Sequence, residues 1–166
     1  MKKETLFKTL VDIIYVLHFI GLIGIVFIIP FGATVRINQV NTKVEDWNLF
    51  YWLLFMTSLV TYLIFLRGLY YLREMAGFLL SKNYFSASTI QNLKKSGHHF
   101  LWAGIISFFL FVAMWISQLV VGKVELIYDE NLLIPLFLTI IGIFFIIQSN
   151  TLTLAKGIKE ENELTI

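Results

Sequence analysis

The sequence predicts an all-α fold: a four-pass transmembrane helical bundle with both termini cytoplasmic and a cytoplasmic helical hairpin between the second and third helices. Two observations carry this reading. Four apolar stretches, about 10–29, 49–66, 100–121 and 132–147, each approach the ~20 residues that cross ~30 Å of hydrocarbon at ~1.5 Å per residue. Basic residues also alternate between the connections. Lys2, Lys3, Lys8, Arg67, Arg73, Lys82, Lys94, Lys95, Lys156 and Lys159 fall at the N-terminus, the middle connection and the C-terminus. The other two connections hold only Arg36, Lys43 and Lys123, beside Glu45, Asp46, Glu125, Asp129 and Glu130. Cytoplasmic segments gather Lys and Arg, which puts residues around 31–48 and 122–131 outside and the protein in the plasma membrane. Composition agrees, because 58% hydrophobic against 14% charged residues leaves too little polar surface for a soluble domain.

The first span follows Lys2 and Lys3 as a signal peptide would. Its apolar run is too long, however, and ends at Pro30-Phe31-Gly32 with no small-x-small cleavage site, so it reads as a retained helix. The outer connection then holds a β-prone run, Val35 to Val40, and the second outer connection holds another at Val124 to Tyr128; a small outer hairpin or cap is the expectation. Trp47, Trp52, Trp102, Trp115, Tyr51, Tyr70, Tyr71 and Tyr84 gather near span ends, where amphipathic rings anchor in the headgroup layer.

The second helix is expected to continue past the bilayer. After Arg67 the apolar residues recur at Leu69, Leu72, Ala76, Leu79 and Leu80, a spacing of three and four that marks one helical face. Lys82-Asn83-Tyr84-Phe85 breaks the pattern. Ser86 then reads as the N-cap of a helix that passes Ile90, Leu93 and Gly97 into the third span. The hairpin so defined covers about 67–97, with arms of roughly 20 Å. After the fourth span, 148–155 turns more polar and 156–166 is a charged tail. The whole chain reads as one membrane domain, residues 1–166.

Chemistry-bearing residues are few. Without cysteine, disulfides, thiol redox chemistry and thiolate metal sites are excluded, and with them the quinone-linked thiol oxidoreductases of four-helix architecture. No Walker loop, nucleophile elbow or His-Glu-x-x-His motif is present, which argues against an enzyme. Asp12 lies one turn inside the first span; its shallow depth favours an interfacial ion pair with Lys8, Arg67 or Arg73 over proton or cation handling. His18 is deeper, and a hydrogen bond to Tyr62 or Thr61 would satisfy it as a neutral imidazole. Haem ligation would need a second axial group at its depth, whereas His98 and His99 lie at the mouth of the third span, so no cofactor is expected. Gly21, Gly24, Gly104 with Ser107, and Gly142 are expected to let helices approach closely. Gln148 joins Asp12 and His18 as the polar set that a transport path would use.

Three segments bear a likeness to known proteins: Ile29-Pro30-Phe31, the run Tyr84-Phe85-Ser86 with Ile90-Gln91-Asn92-Leu93-Lys94-Lys95-Ser96-Gly97, and the terminal Lys159-Glu160-Glu161-Asn162-Glu163-Leu164-Thr165-Ile166. Together they resemble the small four-helix bacterial membrane proteins grouped as domain of unknown function 2975. That resemblance implies no established activity. It does imply a neighbouring helix-turn-helix regulator, and so a soluble partner for a membrane protein that does not itself bind nucleic acid.

Two functions follow as expectations. The first is a non-enzymatic scaffold or regulator that holds such a partner through Leu72, Leu79, Lys82, Asn83, Leu93, Lys94 and Lys95 on the hairpin and Glu160 and Glu161 on the tail, the basic residues also attracting anionic lipid. The second is a small transporter or channel, a homo-oligomer, with Asp12, His18 and Gln148 on the path.

Overall fold

The computed structural model describes residues 3–28, 34–37, 40–120 and 130–164. Four α-helices account for most of them: α1, Lys3–Ile28; α2, Leu49–Leu80; α3, Ala87–Val120; and α4, Glu130–Leu164. Each is long and apolar enough to cross a membrane. Between α1 and α2 a short antiparallel ladder pairs β1, Thr34–Ile37, with β2, Val40–Lys43. The first β-prone run is therefore a hairpin; the second, at Val124 to Tyr128, lies outside the described residues.

The helix ends follow from local chemistry. Asn48 caps α2, its side chain accepting from the Tyr51 N–H at 3.0 Å. At the other end of α2, Lys82 takes a left-handed backbone with φ of 58°. The Lys82 N–H bonds the Leu79 carbonyl at 3.1 Å and the Asn83 N–H reaches back to the Phe78 carbonyl at 3.2 Å, a Schellman closure on a residue other than glycine. Ser86 caps α3 as its position suggested: Oγ accepts from the Thr89 N–H at 3.1 Å, while Thr89 Oγ1 donates to the Asn83 carbonyl at 2.7 Å. The turn between α2 and α3 is thus held from both sides.

Length decides the architecture. The 32 residues of α2 extend roughly 48 Å at ~1.5 Å per residue, well beyond ~30 Å of hydrocarbon. Helices α3 and α4, at 34 and 35 residues, overshoot similarly. The tail is not a separate segment, because α4 continues unbroken to Leu164. Each helix packs chiefly on its neighbour in sequence, α3 on α4 most extensively and α1 on α2 least. The partners run antiparallel, so the overhanging ends of α2, α3 and α4 and the start of α1 meet at one end of the molecule, called here the hairpin end.

The core sits at that end. Val11, Leu69, Leu72, Met75, Leu93 and Phe100 form it, with Phe145 and Leu152 of α4 packed against it. Four of the six lie beyond the apolar spans. Along the spans, by contrast, Leu17, Ile20, Phe27, Leu53, Val60, Phe109, Phe137 and Ile140 are exposed on the helix faces. Hydrocarbon solvates those side chains as well as a neighbouring helix would, so no hydrophobic drive closes the helices there. In water that drive returns, and burying each Leu stabilises by about 1.5–3 kcal/mol.

Within the spans, small residues set the spacing. A Cβ on Gly142 would stand 2.5 Å from the Leu101 nitrogen, and one on Gly97 would stand 2.8 Å from the Gly142 carbonyl oxygen. Gly104 abuts the Pro135 carbonyl and the Thr139 backbone in the same way. Gly21 approaches the Tyr62 hydroxyl, but Gly24 faces open space with nothing within 4 Å of a Cβ, so the close-approach reading fails there.

Candidate functional site

Two clusters of ionisable side chains form at the hairpin end. In the first, Asp12 of α1 accepts from Lys8 Nζ one turn earlier and, through Oδ1, from Arg73 Nε of α2 at 2.9 Å. Arg73 also lies over the Tyr15 ring, its guanidinium carbon 5.4 Å from the centroid. The ion-pair reading of Asp12 thus meets both cations, and the pair ties α1 to the arm of α2. Farther out, the Tyr84 hydroxyl reaches Glu4 at 3.5 Å and brings the first turn of α1 to the hairpin tip.

The second cluster lies between α2 and α3. Arg67 and Lys95 both approach the Tyr71 ring, at 6.0 and 5.3 Å from its centroid, and the His99 ring lies 5.2 Å from the same ring. The sequence offered Arg67 as a partner for Asp12 and weighed His99 against haem ligation; the structure pairs Asp12 with Lys8 and Arg73 instead and brings Arg67 and His99 together at Tyr71. Two i, i+4 pairs on facing helices would have revealed the convergence, but only if the register between the helices were known.

His18 is placed differently from expectation in one respect. Its ring does sit beside Tyr62, with centroids 6.1 Å apart, and edge-on to Phe65 at 5.2 Å. The Tyr62 hydroxyl, however, donates to the His18 main-chain carbonyl at 2.8 Å, and the imidazole Nδ1 bonds the Ile14 carbonyl at 2.7 Å. The imidazole is therefore satisfied within its own helix. Thr57, Thr61, Thr139 and Ser149 likewise donate to carbonyls three or four residues earlier. None of the described hydrogen bonds joins Gln148 to Asp12 or His18. Among the described residues no three His, Asp or Glu side chains gather in a metal-binding group.

The partner-binding candidates divide. Leu72 and Leu93 are core residues, 7% and 6% exposed, and Leu79 packs against them, so these leucines hold the arms together. Lys82, Asn83, Lys94, Lys95, Glu160 and Glu161 are on the surface. Lys156 and Lys159 pair with Glu160 and Glu163 at i, i+4 along the tail helix. Exposed apolar residues beyond the spans include Leu6 on α1, Tyr70 on α2, Leu80, Tyr84 and Phe85 around the tip, and Leu154, Ile158 and Leu164 on α4, the last three 70%, 60% and 88% exposed. Sequence periodicity could not separate these from the core set, because Leu80 with Tyr84, and Leu154 with Ile158, recur at the same helical spacing of four.

Ser96 and Gly97, within the motif that carried the family resemblance, have a clear structural use. Ser96 is fully buried and donates to the Gly68 carbonyl of α2 at 2.9 Å, while Gly97 meets α4 at Gly142. One Ser-Gly step thus seats α3 against both neighbours. A family model described as protein of unknown function (DUF2975) matches residues 35–166 of the chain, which takes in both the hairpin and tail motifs. Neither a curated protein nor a solved structure matches it.

Proposed function

The chain belongs to the DUF2975 family, and we propose that it is a non-enzymatic membrane scaffold or regulator that binds a soluble partner, such as a helix-turn-helix regulator, at the hairpin end. The positive-inside distribution supports a cytoplasmic position for that end, with both termini inside. The observation that carries the reading is the position of Leu154, Ile158 and Leu164. They project from α4 beyond the apolar span, where no lipid tail can cover them. An amphipathic partner helix suits such residues, and the exposed Tyr84 and Phe85 of the tip add apolar surface at the same end.

Two further features support the partner reading. Beyond Leu152, which packs on the core, the leucine and isoleucine side chains of the last turns of α4 are exposed. Those turns also carry Glu160, Glu161 and Glu163 at a helix C-terminus, where the macrodipole disfavours acids by about 0.3–1 kcal/mol each. A helix so disfavoured gains most from a basic, apolar surface docked on it. The two lysine–glutamate pairs run in the weaker orientation for their helix and offset little of this.

The test is a photo-crosslinking residue at Ile158, and separately at Phe85 and Asn83, in living cells. The expected adduct is a soluble protein, identified by mass spectrometry as a small helix-turn-helix regulator. Lipid adducts alone at all three positions would overturn the proposal.

A further inference from the structure

We infer that Arg67, Tyr71 and Lys95, backed by His99, form a binding site for the phosphate group of an anionic phospholipid. The inference does not depend on the partner reading. It starts from charge: two cations converge on one ring and repel each other, yet among the described residues neither makes an ion pair. Glu74 is the nearest acid along the same face of α2, one turn beyond Tyr71, and it pairs with neither. Of the other cations of this end, Lys8 and Arg73 share Asp12, and Lys156 and Lys159 pair with tail glutamates, while Lys3, Lys82 and Lys94 make neither an ion pair nor a ring contact among the described residues. An anion lodged between Arg67 and Lys95 would supply the missing countercharge.

Position selects the chemical class. Arg67 follows the last apolar residue of one span and His99 precedes the first of the next, so the cluster lies at the level of lipid phosphates. The exposed Trp102, just inside that level on α3, suits the same interfacial layer. Donor geometry fits as well. The guanidinium offers a planar fork and the ammonium a point charge. The Tyr71 hydroxyl makes no hydrogen bond among the described residues and is available as a third donor. The His99 Nδ1 bonds the Lys95 carbonyl at 2.7 Å, which holds its ring against Tyr71 and leaves the cations to face the ligand. Basic pockets between helices at this level recognise headgroups more selectively than a diffuse basic surface does.

The experiment is native mass spectrometry of the full-length protein in detergent with equal amounts of phosphatidylglycerol and phosphatidylcholine. The wild type is expected to retain phosphatidylglycerol preferentially. The R67Q/K95Q variant should lose that preference by at least about tenfold, whereas K82Q/K94Q, with the same change in net charge, should keep it. An unchanged helical circular dichroism spectrum of R67Q/K95Q excludes misfolding, and R67K, which keeps the charge without the fork, should hold the preference between those of R67Q/K95Q and the wild type. Equal losses in the two charge-neutralising variants would mean diffuse surface attraction and overturn the site, as would undiminished binding in R67Q/K95Q. Displacement of the lipid by excess inorganic phosphate would assign the site to a soluble phosphate and overturn the lipid assignment.

Discussion

The substitution Gly142→Ala tests whether glycine spacing, rather than apolar contact in general, holds α3 on α4. The added Cβ would stand 2.5 Å from the Leu101 nitrogen, 2.8 Å from Leu101 Cα and 2.8 Å from the Gly97 carbonyl oxygen, where ordinary contact begins at 3.4 Å. All three obstacles are backbone, so no side chain can swing aside and the helices must part by just under ~1 Å. Overpacking of this kind costs about 1–3 kcal/mol, and the better helix propensity of alanine returns about 0.8–1 kcal/mol. The net expectation is a loss of about 1 kcal/mol, and at most about 2 kcal/mol, which is roughly a fivefold and at most a thirtyfold drop in the folded-to-unfolded ratio. Gly24→Ala is the control. With nothing within 4 Å of its Cβ, it should leave stability unchanged or raise it by up to ~1 kcal/mol. The assay is sodium dodecyl sulfate titration of the protein in mild detergent micelles, followed by tryptophan fluorescence. Equal shifts in the two variants, or an unchanged midpoint in Gly142→Ala, would refute the reasoning.

Other perturbations probe the remaining elements. Lys82→Gly should stabilise the hairpin by about 1 kcal/mol, because the left-handed backbone at the C-terminus of α2 strains any residue with a Cβ; a lower midpoint in the same titration would contradict this. Ser86→Ala should cost about 1 kcal/mol through loss of the cap on α3, seen as faster amide hydrogen exchange over 86–90 with the middle of α3 unaffected. Asp12→Asn releases Arg73 and Lys8, so exchange in the first turns of α1 should quicken while α3 and α4 stay protected; uniform protection would mean that apolar contacts alone hold α1. For orientation, a cysteine at Asn41 in this cysteine-free chain should react with an impermeant maleimide in intact cells and one at Asn83 should not. The reverse pattern would invert the topology.

Most of the helices were legible because their causes are local. Apolar runs long enough to cross hydrocarbon, a serine at the start of α3 and a turn at 82–85 act within a few residues and need no partner. The continuation of α2 past Arg67 was readable for the same reason, since its leucines recur at helical spacing. The continuation of α4 to Leu164 was not, because its last turns are mostly polar and carry too few apolar residues to mark one helical face.

What the sequence by itself determined is therefore the number of helices, their spans and the position of the turn, each a matter of local pattern and hydrocarbon thickness. Only the tertiary structure decided which of several equivalent leucines became core, with Leu72 and Leu93 buried and Leu154 and Ile158 left outside. It also decided that Gly142 packs while Gly24 does not, and that Arg73 is matched by Asp12 while Arg67 and Lys95 share a ring without an acid. Each of these depends on the rotation and register of one helix against the next. In a chain whose spans are apolar on every side, hydrophobicity leaves that rotation undetermined, and a few small residues and one buried serine bond set it.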